Sequence, residues 1–295
     1  QPSRPRNLIL VSVDTLRADH LPFYGYHRQT APGLFLLGQD AAVFLNAFAC
    51  SSTTLPSHVS MMTGLHPSTH GVLSNSDGCS AQALTLAEIL HEAGFSTAAF
   101  VGATVLAAST GLAQGFEVYD DDVSAYFNQL EVEPAWRAGA PFFPQQQVPA
   151  DDVLDRALRW LGPGPKTPFF LFVHLYDPHS PYVPPAGHRQ TFVTPGGDEM
   201  QRLRDLYDCE IYYADLQLQR LWRALERQHL KDETLVVFTS DHGEGLGDHQ
   251  YLLHAGEVYD EQLHVPLLMW GPGVPKKKVN DLVDLTDLFP TVLQL

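Results

Sequence analysis

The sequence predicts an α/β fold in which helices sandwich a doubly wound, mostly parallel sheet. Two observations predict it: short apolar runs rich in β-branched and aromatic residues, and amphipathic helical segments that alternate with those runs. The runs indicate buried parallel strands at Asn7–Val13, Ser96–Gly102, Pro168–Leu175, Thr234–Ser240 and Val265–Trp270.

Helical periodicity accounts for most of the intervening chain. The pattern LTLAEILHEAG predicts a helix from Leu84 that ends at Gly94, because glycine readily adopts the left-handed conformation of a C-cap. Two further amphipathic segments predict a helix from Asp151 and a long helix over about residues 198–229. A Pro- and Gln-rich stretch, Glu133–Ala150, interrupts this alternation. We therefore expect an insertion at about 120–150, which is either a lid or a passive loop.

Composition limits the classes of partner. With 295 residues, 44% of them hydrophobic, the chain is long enough to bury a substantial core. Its 34 acidic and 18 basic residues give a formal net charge of −16, which argues against nucleic acid or an anionic membrane as a partner. No apolar run reaches the roughly 18 residues of a membrane-spanning helix, so no membrane anchor is visible. The three cysteines, Cys50, Cys79 and Cys209, match no metal-binding spacing.

Acidic and imidazole side chains follow three of the predicted strands, where ligands of open α/β sheets gather. They are Asp14 after the first strand, Asp177 and His179 after the third, Asp241 and His242 after the fourth, and His254 a short loop later. One such residue alone is usually a helix cap or a satisfied core group. Several together would repel one another unless a cation joined them. The mixture of carboxylates and imidazoles favours zinc or manganese over calcium.

The stretch SSTTLPSH places four hydroxyl side chains before a predicted helix. Pro56 suits the first helical position, so Ser51, Ser52 and Thr53 are interpreted as approach and capping residues. Thr54 is the candidate nucleophile. A hydroxyl bound to a cation at a helix N-terminus loses its proton more readily and suits attack on a tetrahedral anion.

Neighbouring residues allow both functional and structural interpretations. His58, one turn into the predicted helix, either faces the bound anion or caps and packs. Arg17 and Asp19 either form a local salt bridge or support the site. The remaining residues are interpreted as structural, with Asp248 and His249 as surface groups on a glycine-flanked loop and Met61 and Met62 as core packing.

Five segments together resemble the sulfatase branch of the alkaline phosphatase superfamily, in order and at the expected intervals. They are VDTLRADHLPFYGY, TLPSHVSMMTGLHPSTHGV, YDPHSPYVPP, TSDHGEGLGDH and YDEQLHVPLLMWGPG. The resemblance covers nearly the whole chain and implies one sulfatase-like catalytic domain over residues 1–295. In sulfatases a smaller C-terminal domain follows a segment similar to DLFPT at 287–291, and we expect that domain to lie outside this chain. An extracytoplasmic location is favoured by the resemblance alone.

The chain departs from the sulfatase pattern at the nucleophile. Sulfatases carry Cys or Ser followed by x-Pro-x-Arg and oxidise that first residue to formylglycine, whereas Thr54 and His58 stand at these positions here. Oxidation of threonine would give a ketone, so we expect an unmodified nucleophile. Val13 also stands before Asp14 where sulfatases commonly have paired Asp. The run SDHGEGLGDHQYLLHAG is similar to that of phosphoethanolamine transferases, which use an unmodified Thr bound to zinc.

Carried over residue by residue, the resemblance implies a defined set of site residues. The implied ligands of a first metal are Asp14, Thr54, Asp241 and His242, while His179 and His254 would bind the transferred anion or a second metal, and Asp177 is a further candidate ligand. One or two divalent ions per chain are expected, zinc first, with manganese or calcium as alternatives.

The resulting functional hypothesis is a metal-dependent hydrolase of small anionic esters. Thr54 is expected to attack a phosphate mono- or diester, or a sulfate ester, with His58, His179 and His254 in catalytic roles. One alternative is a phosphoethanolamine-type transferase. Another is a catalytically silent sulfatase-like module that binds an anion or a partner.

Overall fold

A computed structural model describes residues 5–124, 148–162, 164 and 166–295 of the chain. Most of the insertion expected at 120–150 therefore lies outside the described residues, including the possible lid. Along the described ranges, no helix combines the length and the hydropathy needed to cross a bilayer.

In the described part of the chain, eight strands form one mixed sheet with the order β10-β2-β9-β6-β1-β5-β3-β4, and β7 and β8 form a small separate hairpin. Their bounds are β1 Asn7–Val13, β2 Ala42–Phe48, β3 Ser96–Val101, β4 Val118–Asp120, β5 Phe169–Leu175, β6 Thr234–Thr239, β7 Gly245–Leu246, β8 Leu252–Leu253, β9 His264–Trp270 and β10 Lys277–Asp284. The α/β class and the mostly parallel sheet are confirmed.

Helices cover both faces of this sheet. Their bounds are α1 Pro32–Leu37, α2 Thr54–Thr63, α3 Pro67–His70, α4 Leu86–Glu92, α5 Ala150–Leu161, α6 Glu199–Arg227, α7 Asp260–Leu263 and α8 Leu288–Gln294. The predicted helices from Leu84, from Asp151 and over 198–229 correspond to α4, α5 and α6. Because side chains of a strand alternate between faces, Ile9 of β1 packs with α1, α5 and α6, whereas Leu8 packs with α2, α4 and α8. Met61 and Met62 of α2 are fully buried in the second layer, as expected.

The sheet differs from the prediction in four strands, one of which is the short edge strand β4, where no run is predicted. The run at Val265–Trp270 is predicted as a parallel strand, but β9 is antiparallel to both of its neighbours, β2 and β6. An apolar run records burial on both faces and not the direction of the strand. The sequence pattern does not predict β2, where three consecutive residues are only half-buried, or β10, which is a polar edge strand that carries Lys277 and Lys278.

Parallel pairing at the centre of the sheet positions the candidate residues. Strand β1 pairs in parallel with β5 on one side and with β6 on the other. The carboxyl ends of these three strands therefore meet at one edge, where Asp14, Tyr176 and Ser240 come directly after them.

A carboxylate from α6 caps the N-terminus of α1. The residue before α1 is Ala31, whose side chain cannot accept a hydrogen bond. Asp215 instead accepts the backbone N–H groups of Gly33 and Leu34 at 2.8 and 2.7 Å. It also accepts a bond from the Gln219 side chain at 3.1 Å. These bonds satisfy N–H groups that a helix leaves free at its first turn, and they tie α1 to α6.

We expect Asp215→Ala to lower the free energy of unfolding by about 2 kcal/mol, because two buried N–H groups lose their acceptor. Urea denaturation followed by circular dichroism measures this change. The matched control is Asp155→Ala, which removes a carboxylate from an exposed pair with Arg220 and should change the free energy by less than about 0.5 kcal/mol. Equal effects of the two variants would contradict the capping role of Asp215.

Candidate metal centre

Three buried side chains converge at the carboxyl edge of the central strands. Asp14 follows β1, and Asp241 and His242 lie just beyond the end of β6; all three side chains are fully buried. The Nε2 atom of His242 lies 3.3 Å from Asp241 Oδ2 and 3.8 Å from Asp14 Oδ1. One ligand atom from each residue lies within 4.8 Å of the other two, so a single ion could contact all three.

The oxygens of this cluster lack hydrogen-bond partners. Neither oxygen of Asp14, nor Oδ2 of Asp241, has a partner among the described residues. Burial raises the pKa of Asp14 to about 6, and burial together with the neighbouring Asp14 raises the pKa of Asp241 to about 7. Unpaired carboxylates in such surroundings are costly unless a cation compensates them. Two carboxylates and one imidazole with open oxygen atoms therefore fit a divalent ion such as zinc.

Thr54 lies at this cluster because helix α2 begins there. It is the first residue of α2, 1% exposed, and its Oγ1 lies 3.2 Å from His242 Nε2. The expected capping role of Thr53 is not observed, since Thr53 makes no side-chain cap bond. Asn75 instead accepts the N–H of Leu55 at 2.8 Å. The Thr54 hydroxyl is thus directed toward the candidate ligands, near the positive end of the helix dipole.

His58 anchors α2 to the sheet. Its Nδ1 lies 2.8 Å from the Thr54 carbonyl oxygen, and its Nε2 lies 3.0 Å from the Ser12 hydroxyl of β1. Both ring nitrogens are therefore engaged within the protein. Burial lowers the pKa of His58 to about 4, so the ring is neutral near pH 7. Of the two sequence interpretations, this geometry favours packing and capping over contact with an anion.

His179 and His254 continue the site away from the cluster. The ring of His254 lies 4.5 Å from the ring of His242, and the ring of His179 lies 4.8 Å from that of His254. His179 is fixed by Ser180 O at 2.5 Å and by the Tyr176 hydroxyl at 3.2 Å. The structure thus brings both predicted histidines to one wall beside the candidate metal centre.

Two residues of the site are not predicted by the sequence patterns. His174 of β5 is fully buried, and its Nε2 lies 3.4 Å from Asp14 Oδ2. The apolar run around it indicates only a strand, although His174 shares the strand end with Asp177. The Glu244 carboxylate lies 3.0 Å from His254 Nδ1. Burial opposes protonation of His254, but the bond to Glu244 and its charge raise the pKa of His254 overall.

Gly243 allows the chain after His242 to pass close to α7. A Cβ at this position would lie 2.1 Å from the carbonyl oxygen of Glu261. The N–H of Gly243 donates to Gln262 O at 2.8 Å, and that of Glu244 donates to Glu261 O at 3.0 Å. This close approach fixes where His242 and Glu244 stand on either side of the glycine.

Asp177 has a different environment from the other candidate ligands. Its Oδ2 accepts the Ala150 N–H at 2.9 Å and so caps α5. It does not belong to the cluster of Asp14, Asp241 and His242. Its assignment as a metal ligand stays a prediction, and the geometry favours the helix cap.

The salt-bridge interpretation of Arg17 and Asp19 agrees with the structure. The Arg17 guanidinium lies 2.7 Å from Asp19 Oδ2 and 2.6 Å from Asp248 Oδ2, and it donates to Glu244 O at 3.1 Å. Asp248 is thus part of a buried arginine's ion pair and not simply a surface group. His249 is 55% exposed and pairs with Glu261, in line with its surface interpretation.

Comparisons with known proteins bear on this arrangement. A sequence model of the family named Sulfatase matches residues 6–295 of the chain. The chain is 26% identical over 328 residues to an ulvan-active sulfatase from Formosa agariphila, a match that covers 100% of this chain and 62% of that protein. The chain thus spans less than two thirds of that relative.

Two solved structures share the fold. The phosphonate monoester hydrolase of Agrobacterium radiobacter has a TM-score of 0.81 at 22% identity, over 99% of this chain and 73% of that chain. The C-terminal periplasmic domain of EcEptC from Escherichia coli, in complex with Zn, has a TM-score of 0.74 at 20% identity, over 99% and 82%. At these identities the likeness concerns the fold. Because the family match extends over nearly all of the sequence, the chain belongs to the sulfatase family.

Proposed function

We propose that this chain is a metal-dependent hydrolase of phosphate esters, with sulfate esters as the second substrate class, and that Thr54 is its nucleophile. One observation carries the proposal. The Thr54 hydroxyl lies 3.2 Å from His242 in a cluster in which three of the four carboxylate oxygens have no hydrogen-bond partner among the described residues. Relatives and fold neighbours include a named sulfatase and a named phosphonate monoester hydrolase, which supports an ester of a tetrahedral anion as substrate.

The residues of the site divide the chemistry between them. A divalent cation held by Asp14, Asp241 and His242 would lower the pKa of the Thr54 hydroxyl and offset the charge of the ester oxygens. Thr54 Oγ1 gives up its proton to water and attacks phosphorus, and the bond from phosphorus to the alcohol oxygen breaks. The protonated ring of His254 donates a proton to the departing oxygen. Water then attacks the phosphothreonine, which releases phosphate and restores Thr54.

His179 and His58 support these steps without being consumed. His179 lies beside His254, and both of its ring nitrogens are engaged, by Ser180 O and by the Tyr176 hydroxyl, so it would line the substrate site and support the His254 ring. His58 keeps the first turn of α2 against β1, so the Thr54 oxygen keeps its place relative to Asp241. We assign His58 a positioning role.

A transferase is the second candidate, favoured by Thr54 itself and by the SDHGEGLGDHQYLLHAG run. In that reaction an acceptor alcohol, and not water, attacks the phosphothreonine. The fold neighbour named as a periplasmic domain in complex with Zn is consistent with zinc at such a site. An assay with added alcohols distinguishes transfer from hydrolysis, because transfer gives a phosphate ester of the added alcohol in place of free phosphate.

Thr54→Ala should abolish turnover while the bound metal content stays nearly intact, because Asp14, Asp241 and His242 remain as ligands. Thr54→Ser keeps the hydroxyl and should retain part of the activity. The measurements are release of the aryl alcohol from aryl phosphates and elemental analysis of the purified variants. Near-full activity of Thr54→Ala would overturn the proposed nucleophile.

Removal of the cation by a chelator should abolish turnover, and added zinc should restore it. The double substitution of Asp14 and Asp241 by Asn should lower the metal content by one ion per chain. Full activity after exhaustive chelation would rule out a metal-dependent mechanism.

Aryl phosphate mono- and diesters should be hydrolysed faster than the sulfate ester of the same phenol. A preference for the aryl sulfate would reverse the order of the two substrate classes.

Glu244→Gln should lower kcat/KM by about 10- to 100-fold, because the carboxylate orients His254 and favours its protonated form. The loss should be larger for esters of poorly acidic alcohols, which need a proton, than for nitrophenyl esters. The matched control is His249→Gln, which changes another acid-paired histidine near this loop but one that is half-exposed. A loss that is uniform over leaving groups would show that Glu244 acts only on the structure.

A further inference from the structure

A second group of metal-binding side chains lies beside α2, outside the metal centre. Cys50 precedes this helix, His66 follows it, and Asp284 ends β10. The Cys50 Sγ lies 3.8 Å from Asp284 Oδ1, and His66 Nε2 lies 3.5 Å from Asp284 Oδ2. One ligand atom from each of the three residues lies within 4.8 Å of the other two.

The separation of His66 from Asp284 matches that of two ligands of a tetrahedral ion, and Cys50 would reach the same ion after a small side-chain movement. Zinc bonds of about 2.0 Å to nitrogen or oxygen and about 2.3 Å to sulfur place the ligand atoms roughly 3.3–3.6 Å apart. The side chains of His66 and Asp284 are 58% and 34% exposed, so an ion can enter from solvent. Water would complete the coordination on the open side.

Ordinary structural roles explain only part of this cluster. Asp284 caps the turn Leu285–Asp287, where its Oδ1 accepts the Thr286 N–H at 2.8 Å. The half-buried Cys50 thiol has hydrogen-bond partners in Thr286, Ser60 and Leu285, and burial together with the Asp284 charge raises its pKa to about 11. These contacts do not account for His66 or for Oδ2 of Asp284. The sulfur of Cys79 contacts the backbone oxygen of Ser80 at 3.8 Å, outside this cluster.

We propose that Cys50, His66 and Asp284 form a second cation site, selective for zinc, which joins the segments before and after the Thr54 helix to the end of β10. The combination of thiolate, imidazole and carboxylate favours zinc over magnesium or calcium, which prefer oxygen ligands alone. Binding breaks the S–H bond of Cys50, forms the S–Zn bond and releases the proton to solvent. The ion would stabilise the approach to α2 without contacting the substrate.

Cobalt(II) tests this site in the full chain, because a thiolate bound to cobalt gives a near-ultraviolet charge-transfer band. The metal centre of Asp14, Asp241 and His242 offers only oxygen and nitrogen ligands and gives no such band. We expect the band in the wild-type chain and in Cys79→Ser, its loss in Cys50→Ser, and a weaker apparent affinity in His66→Ala. No substrate is present, so the result is independent of the proposed hydrolase activity.

Thermal unfolding provides a second measurement that does not depend on spectroscopy. Zinc should raise the Tm of the wild-type chain more than that of Cys50→Ser, since binding to the folded state alone stabilises it. If Cys50→Ser does not fold, the comparison uses Asp284→Asn, which keeps a side-chain oxygen for the turn cap. Absence of a thiolate band in the wild-type chain would overturn the proposal. A band and a zinc-induced Tm shift that both keep their wild-type size in the variants would also overturn it.

Discussion

The electrostatic conflict between Asp14 and Asp241 determines the rest of the site. Parallel pairing of β1 with β6 aligns Ser12 with Thr239, so the residues just beyond each strand meet at the same edge of the sheet. Both carboxylates are fully buried, and three of their four oxygens have no hydrogen-bond partner in the described chain. Desolvation of an ionised carboxylate is costly without a cation or a donor, and this cost raises the pKa of both groups. A bound cation, as proposed above, would remove this cost at neutral pH.

The same constraint bears on how an acidic protein would bind the anionic ester that we propose as its substrate. With a net charge of −16, the surface as a whole repels such a substrate. Arg17 is not available to offset this charge, since Asp19, Asp248 and the Glu244 carbonyl oxygen hold its guanidinium. In the proposed site, local positive potential would come from a bound cation, from the N-terminus of α2 and from His254. All three lie at the edge where Thr54 stands.

Residues just beyond apolar strands could be predicted from the sequence, whereas contacts between distant segments could not. Asp14, Asp241 and His242 are predictable because a parallel sheet brings the carboxyl ends of its strands together. Thr54 is predicted as the nucleophile from its place before a helix and from the family resemblance. His174 escapes prediction because it lies inside a strand run, where burial hides its polar atoms from a pattern of hydrophobicity. The direction of β9 and the polar edge strand β10 depend on tertiary pairing, which periodicity does not record. The grouping of Cys50 with Asp284 spans 234 residues, beyond the reach of any spacing rule.

The exchange of arginine for His58 changes where positive charge can lie in this member of the family. An arginine would carry its charge at every accessible pH, but the buried ring of His58 is neutral and both its nitrogens are engaged by Thr54 and Ser12. The first turn of α2 is therefore held by hydrogen bonds and not by a charged group that faces the substrate. His254, whose pKa is raised by its bond to Glu244 and by the charge of that carboxylate, is the proton donor that we propose. In the proposed mechanism, positive charge near the ester would therefore come from a bound cation and from His254, and not from a side chain on the first turn of α2.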